Sequence, residues 1–201
     1  MSKKNDESLK RMNPTGIKMK DMTEEQKLAL RQEWNAVVSV RENLECTCPS
    51  TFCRMNHNCR SCIALNRYYG NFSDCLRPLV DEMQAHLPQP EKYNMHAKMQ
   101  ASGRAEGLVD PTIDPDIMRE ILHKNDPPGL MLKRFDMWDD VVNNPKNTAC
   151  KCSNTDCWFH NNCTKCIALH RNYGGFPACY RDIVDEVEAI VEEYKRSAEN
   201  D

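Results

Sequence analysis

The segment CRSCIALNRYYG (residues 59–70) recurs as CTKCIALHRNYG (residues 163–174), and this pair decides how the fold is organised. Each segment opens with Cys-x2-Cys, continues with an apolar run and ends at a glycine. A glycine is the residue most often found just after a helix. The sequence therefore predicts a short helix from Cys59 to Tyr69 and an equivalent helix in the second segment.

All twelve cysteines follow the same relation, because each one in the first half has a counterpart 104 positions later. The spacing in both halves is Cys-x-Cys-x4-Cys-x5-Cys-x2-Cys-x12-Cys. The two sets are Cys46, Cys48, Cys53, Cys59, Cys62 and Cys75, and Cys150, Cys152, Cys157, Cys163, Cys166 and Cys179. Trp34 with Trp138 and Phe72 with Phe176 obey the same offset. The sequence therefore predicts a tandem duplication in which cysteine geometry matters.

The repeat predicts a mainly α fold with irregular metal-binding loops, made of two homologous Cys-rich helical modules joined by a Pro-rich linker. The predicted divisions are a disordered N-terminal segment (1–22), repeat 1 (23–90), a linker with a short helix (91–128) and repeat 2 (129–201). A repeat of this size is marginal on hydrophobic burial alone. Six cysteines in each repeat would supply the additional cross-linking that small domains need.

Three helix signals surround the cysteines. The residues Thr-Glu-Glu-Gln, starting at Thr23, form a capping box and predict a helix that carries Trp34. The matching segment, 130–142, carries Trp138, and both tryptophans are expected to anchor the core against the cysteine module. A final amphipathic helix is predicted to begin near Ser73 in the first repeat and near Pro177 in the second.

Composition restricts the cellular setting that the sequence predicts. The net charge is −3, the N-terminus is polar and lysine-rich, and no apolar run is long enough to cross a bilayer. We therefore expect a cytoplasmic protein with no membrane association and no affinity for nucleic acid. In a reducing cytosol, regular cysteine spacings indicate metal ligands rather than disulfides. Three disulfides per repeat are the alternative if the protein is exported.

The expected cofactor is zinc, with two to four ions per chain. Zinc prefers four ligands, and each repeat offers six thiols. Three divisions stay open: one zinc with two thiols left over, two zincs sharing six thiolates, or an iron–sulfur cluster. The preferred ligands are Cys59, Cys62 and Cys75 with Cys46, Cys48 or Cys53, and Cys163, Cys166 and Cys179 with Cys150, Cys152 or Cys157.

Histidines and arginines near the cysteines receive different interpretations. His57, His160 and His170 are not expected to be ligands, because none has a histidine at the matching position of the other repeat. Arg67 and Arg171 do match each other. Arg77 and Arg181 also match each other. We expect these arginines either to hydrogen bond to metal-bound thiolates or to form salt bridges with acidic residues about one turn along, namely Asp81, Glu82, Asp185 and Glu186. The alternative is a paired site for an anion or a partner.

The cysteine spacing, together with His170-Arg171 and the run Phe176-Pro177-Ala178-Cys179, resembles small cysteine-rich domains of unknown function found in bacteria. The resemblance implies a metal-binding module and brings no assigned activity. The sequence has no Gly-rich phosphate loop, no His-Glu-x2-His and no repeated histidine. We therefore expect a non-enzymatic, structural-zinc protein that acts as an adaptor or accessory subunit for a protein partner. The alternative is an iron–sulfur or dithiol protein that transfers electrons.

Overall fold

The computed structural model describes residues 3–49, 53–88 and 138–199. The predicted linker (91–128) and most of the segment that matches the first helix (130–137) lie outside the described residues. Within the described ranges the regular structure is helical and contains no β-strand, as the sequence predicts for a mainly α fold. No helix in these ranges is both long enough and apolar enough to cross a membrane.

The α-helices of the described ranges are α1 (Lys3–Met12), α2 (Glu24–Ser39), α3 (Arg41–Leu44), α4 (Cys59–Tyr68), α5 (Arg77–Met83), α6 (138–143), α7 (Pro145–Thr148), α8 (Cys163–Asn172) and α9 (Arg181–Ala198). Short 3-10 helices precede α2, α5 and α9, at Met19–Asp21, Asp74–Leu76 and Ala178–Tyr180. The offset that relates the cysteines also relates α3 to α7, α4 to α8 and α5 to the start of α9.

Helices α4 and α8 begin and end in the same way. Asn58 and Asn162 each accept a hydrogen bond from the backbone N–H three residues later, at 3.2 Å in both cases. These bonds satisfy N–H groups that have no partner inside a helix. Both helices end before a glycine in the left-handed region, with φ of +65° at Gly70 and +69° at Gly174. The predicted helix and its glycine terminus are confirmed.

The capping box predicted at the start of α2 is also present. The Thr23 side chain accepts from the Gln26 N–H at 3.2 Å, and the Gln26 side chain accepts from the Thr23 N–H at 2.9 Å. The helix buries Leu30 and Trp34, whereas Leu28 on another face is 58 % exposed.

Helix α2 packs on the cysteine-containing segment of the other half of the chain. The Trp34 ring lies 5.4 Å from the ring of Trp158 and 6.0 Å from that of Phe159, between centroids. Leu30 and Leu169 belong to the same buried cluster. The predicted role of this tryptophan as a core anchor is correct, but the cysteine-containing segment on which it packs belongs to the other half of the chain.

Helix α6 makes the reciprocal contact with the first half. Val141 is buried with Leu65 and Tyr69, and Trp138 packs against that cluster. We call this arrangement the exchanged packing: α2 of the first half covers α8, and α6 of the second half covers α4. The two halves therefore do not enclose separate cores, because the apolar faces of α4 and α8 are each covered by a helix from the other half.

A third apolar cluster lies between the halves and contains matching residues from both. Phe72 and Phe176 lie 5.6 Å apart between ring centroids. The buried members are Ile63, Phe72, Leu76, Val80, Ile167, Phe176, Tyr180, Ile183, Val184 and Val187. The predicted apolar stripe of the last helix thus packs within the protein, mainly against α5. We call this cluster the central core.

The N-terminal segment differs from the prediction that residues 1–22 are disordered. Residues 3–12 form α1, and Met12, Met19 and Met22 are buried in the cluster that contains Trp34. The Trp34 ring N–H donates to the Met12 carbonyl at 2.8 Å. The polar composition concealed this contact, because widely spaced methionines on a lysine-rich segment do not produce a continuous apolar pattern.

Candidate metal centres

The twelve cysteines lie on the same elements in each half. Two precede the turn before the Cys-x2-Cys pair, one lies in that turn, two lie in the first turn of α4 or α8, and one lies in a 3-10 helix. All twelve are free thiols of intermediate exposure. We call the sets the first thiol group (Cys46, Cys48, Cys53, Cys59, Cys62 and Cys75) and the second thiol group (Cys150, Cys152, Cys157, Cys163, Cys166 and Cys179).

The thiols of the first group lie close enough to influence one another. Burial raises the pKa of Cys62 to about 11, against the lowering effect of a hydrogen bond with Ser73. The neighbouring thiols that raise this pKa further are those of Cys53, Cys59 and Cys46. Burial likewise raises the pKa of Cys75 to about 12, and Cys62, Cys59 and Cys46 add to the increase. These five thiols form one electrostatic group.

The second group shows the same arrangement. Burial raises the pKa of Cys166, and it raises the pKa of Cys179 to about 12. The thiols that add to the increase at Cys166 are those of Cys179, Cys157, Cys150 and Cys152. The Cys150 thiol also raises the pKa of Cys163. Cys150 thus influences several thiols of its group, as the matching Cys46 does in the first.

Hydrogen-bond donors approach several of the sulfur atoms. Burial raises the pKa of Cys157, while the backbone N–H groups of Phe159 and His160 bond to its sulfur and lower the pKa. In the first group the Asn66 side chain donates to Cys62 Sγ at 3.4 Å. Donors of this kind stabilise a thiolate over a thiol. They also resemble the outer contacts that orient metal ligands.

Cys48 has a carboxylate neighbour. Its Sγ donates to Asp74 Oδ2 at 3.0 Å. Asp74 also forms a 2.6 Å ion pair with Arg77. This contact differs from the predicted pairing of Arg77 with acidic residues later in its helix, because the 3-10 turn brings Asp74 alongside.

The arginines that match between the halves lie near thiols of the opposite group. Arg171 of the second half lowers the pKa of Cys75, opposing the larger effect of burial. Arg67 of the first half does the same at Cys179. Each arginine therefore lies near a thiol of the opposite half, whereas the hydrogen bonds to metal-bound thiolates stay a prediction.

The histidines are placed differently from one another. His57 lies in the left-handed region with φ of +60°, as does its counterpart Asn161 with φ of +64°. His160 and His170 each have a buried Nδ1 without a hydrogen-bond partner. Burial lowers the pKa of His170 to about 4, so its ring is neutral at pH 7. At the matching position, Asn66 instead bonds to Cys62.

An open cleft of about 500 Å³ lies where α4 and α8 begin. Four consecutive residues of each half line it, namely 57–60 and 161–164. Arg60 crosses this cleft and donates to the Asn161 carbonyl at 2.9 Å. Cys59 and Cys163 both line the cleft, and Cys59 is among the groups that raise the pKa of Cys163, after burial and against hydrogen bonding by Arg60. The two thiol groups therefore meet here.

The thiols of each group are near one another, but their sulfur atoms do not surround a common point at metal-ligand distance. In the part of the chain that the structure describes, no three His, Cys, Asp or Glu side chains stand close enough to hold a metal ion. Sulfur is nevertheless the dominant donor in both groups, and soft thiolates suit zinc and iron–sulfur clusters. The donor chemistry therefore fits the predicted metals.

No protein-family model, no curated protein and no solved structure matches this chain. The resemblance to small bacterial cysteine-rich domains accordingly stays an expectation from the sequence.

Two residues beside the thiols were not predicted to belong to the site: Ser73 and Tyr180. Ser73 Oγ lies 2.5 Å from the Tyr180 hydroxyl and 3.5 Å from Cys62 Sγ. Both residues are buried. A signal was available, because Tyr180 occupies the position that matches Leu76, a break in an otherwise apolar repeat.

Proposed function

We propose that this chain binds metal at two thiolate centres, one in each thiol group, and that it consists of two homologous modules joined by a linker. Zinc is the metal that we expect, with two to four ions per chain. The metal has a structural role, and the protein acts as an adaptor or accessory subunit in the cytoplasm. An iron–sulfur protein is the alternative, since such clusters also take cysteine thiolates.

The observation that carries the proposal is the gathering of free, half-buried thiols into two groups. Burial and neighbouring thiols both raise the pKa of Cys62, Cys75 and Cys179 to between about 11 and about 12. Several thiolates in such a place repel one another and lose hydration. A bound cation removes both penalties, because it supplies the opposite charge and replaces water as the partner of sulfur.

The surroundings of the sulfurs support this proposal. Backbone N–H groups approach Cys157, and arginines from the opposite half approach Cys75 and Cys179. These groups favour anionic sulfur and disfavour protonated thiol. Reduced thiols are also the form expected in the cytosol.

Matching contacts support the two homologous modules. The Asn43 side chain donates to the Val37 carbonyl at 2.8 Å, and the matching Asn147 side chain donates to Val141 at 2.9 Å. The bonds join equivalent positions after equivalent helices. Independent sequences would not be expected to repeat a side-chain bond of this kind together with the cysteine spacing.

The adaptor role rests on the number of thiols. Six thiols per group are enough to close the coordination of one zinc or to share two, and closed sites are structural rather than catalytic. Tyr68, which is 53 % exposed and packs edge-on against Tyr69, is a candidate contact residue for such a partner. Metal-loaded protein that remains monomeric, and that captures no partner from its native cells, would contradict the adaptor role.

Elemental analysis of anaerobically purified protein, combined with a visible spectrum, tests the metal proposal. Zinc and a colourless solution would support structural zinc, whereas iron, acid-labile sulfide and broad visible absorbance would support the alternative. Cys62→Ser and Cys166→Ser should each remove the metal of one centre, and Ser61→Ala is the matched control in the same helical turn. Wild-type protein that binds neither metal would contradict the proposal.

A further inference from the structure

The central core is built from residues at matching positions of the two halves, and all but one of its buried members are apolar without a polar group. Ile63, Phe72 and Val80 share this core with their counterparts in the other half, which are identical in type. The offset, however, relates Leu76 to Tyr180. A phenol hydroxyl is thereby introduced into an otherwise apolar interface between the two thiol groups.

The buried hydroxyl of Tyr180 has a defined set of contacts. Tyr180 is 0 % exposed and its ring stacks on Phe72, with centroids 5.4 Å apart. The Ser73 backbone N–H donates to the Tyr180 oxygen at 3.3 Å, and the two hydroxyl oxygens lie 2.5 Å apart. Ser73 Oγ in turn lies 3.5 Å from Cys62 Sγ. A chain of contacts therefore runs from the second half to a thiol of the first.

The direction of these hydrogen bonds depends on whether Cys62 carries a proton. As a thiol, Cys62 donates from Sγ to Ser73 Oγ at 3.5 Å. A metal-bound sulfur carries no proton, so the Ser73 hydroxyl would then donate to sulfur and the Tyr180 hydroxyl would donate to Ser73 Oγ. Each hydroxyl would then have an acceptor, and buried polar hydrogens without acceptors are costly.

We propose that Tyr180 is a positioning residue for the thiolate centre of the first half, holding Ser73 so that its hydroxyl donates to Cys62 Sγ in the metal-bound protein. This inference rests on the proposed metal-binding function. The second half has no equivalent, because Pro177 replaces Ser73 and Leu76 replaces Tyr180. A side chain of the second half thus stabilises metal in the first half, and the two centres differ in how firmly they retain it.

The test is to load the protein with cadmium-113 and to follow both its NMR spectrum and cadmium release to a chelator. Ser73→Ala should speed release from the first centre about tenfold, because a hydrogen bond to charged sulfur is lost. Tyr180→Phe should speed release about threefold to tenfold, because the ring remains while Ser73 loses its anchor. The double variant should release cadmium no faster than Ser73→Ala alone, since both residues act in one chain.

The controls distinguish positioning from packing. Tyr173→Phe is the matched control, because its hydroxyl bonds to Glu33 at 2.6 Å on another surface. Cys166→Ser identifies the resonance of the second centre by removing it. Ser73→Thr, which keeps a hydroxyl, should restore the wild-type resonance of the first centre. Circular dichroism should show unchanged helix content in Tyr180→Phe.

The outcomes separate this inference from the proposed function. Changes confined to the first-centre resonance and to its release rate would support the role of Tyr180. Cadmium bound at both centres with release unchanged in Tyr180→Phe, or changed equally at both, would overturn the role of Tyr180 and leave metal binding intact. Protein that binds no cadmium would overturn both.

Discussion

The exchanged packing makes a prediction in which the effect of a mutation appears in the opposite half. Trp34→Ala, made in the first half, should loosen α8 of the second half. Trp138→Ala, made in the second half, should loosen α4 of the first. If each helix packed on its own repeat, both effects would appear on the same side as the mutation.

The magnitude follows from the surroundings of Trp34. Its side chain is 5 % exposed, packs edge-on against Trp158 and donates to the Met12 carbonyl at 2.8 Å. Replacement of a buried tryptophan by alanine costs about 3–5 kcal/mol. At about 1.4 kcal/mol per factor of ten, local opening of α8 becomes at least about a hundredfold more frequent. Trp34→Phe keeps most of the packing and should cost about 1–3 kcal/mol, mainly because the carbonyl loses its partner.

Native-state hydrogen exchange measured by mass spectrometry provides the readout. Peptides that cover residues 163–172 should exchange faster in Trp34→Ala, while peptides that cover 59–68 should change much less. Trp138→Ala should reverse this pattern. The milder Trp34→Phe variant keeps the comparison possible if the alanine variant unfolds.

Thiol labelling gives a second readout of the same prediction. Cys157 and Cys166 pack against the cluster of Trp34, and Cys53 and Cys62 pack against the cluster of Trp138. In metal-free protein, Trp34→Phe should therefore speed alkylation at Cys157 and Cys166. Faster exchange and alkylation in the first half alone would refute the exchanged packing.

Three further predictions concern a histidine, a thiol and a helix cap. Burial holds the pKa of His170 at about 4 against an ordinary value of 6.5, so this contribution to stability is fully present above pH 6.5 and is lost as the pH falls towards 4. The loss in the free energy of unfolding amounts to about 3 kcal/mol. Urea titrations at several pH values should show that His170→Asn is less sensitive to acid than wild type at equal metal loading. Cys59→Ser should prevent folding of the first half and, because each half covers a helix of the other, should also destabilise the second half; a soluble, metal-replete variant with native circular dichroism would contradict this. Thr23→Ala should cost about 1 kcal/mol through the lost capping box, measured as a shift of the urea midpoint with an unchanged slope.

The sequence was sufficient for the elements that depend on local chemistry. The capping box at Thr23 and the glycine ends of α4 and α8 require only residues that are near one another in the chain. Similarly, the regular spacing of apolar residues from Ile183 to Val191 was enough to predict the buried face of the last helix. For these features the interacting groups are a few residues apart, so the order of residues determines the contact.

The exchanged packing could not be predicted in this way. A repeat tells which residues are equivalent, but it does not tell which copy supplies the partner of each apolar face. Trp34 fits the surface beside Phe159, and the matching surface of its own repeat has Met55 in place of Phe159. Both pairings satisfy the apolar pattern, and only the three-dimensional path of the chain selects one. The same reasoning applies to Arg67 and Arg171, whose recurrence was visible but whose crossing was not.

The sequence predicted that the cysteines would group together, but it did not predict the hydroxyl-bearing residues that lie beside them. The grouping of the cysteines could be predicted because spacing alone places six thiols on one loop and two helical turns. The contribution of Ser73 and Tyr180 could not, because their contact joins residues 107 positions apart in sequence. A tyrosine in place of Leu76 is visible in the sequence, but its meaning depends on the partner that it meets.

The exchanged packing has a consequence for how this protein responds to dilution. Each half needs a helix from the other, and the continuous chain supplies that helix at an effective concentration in the millimolar range that does not depend on how much protein is present. If the peptide chain were cut between the halves, the same contacts would become an association between two molecules governed by mass action. The intact protein should therefore unfold at the same urea concentration at any dilution, whereas the cut protein should become less stable each time it is diluted.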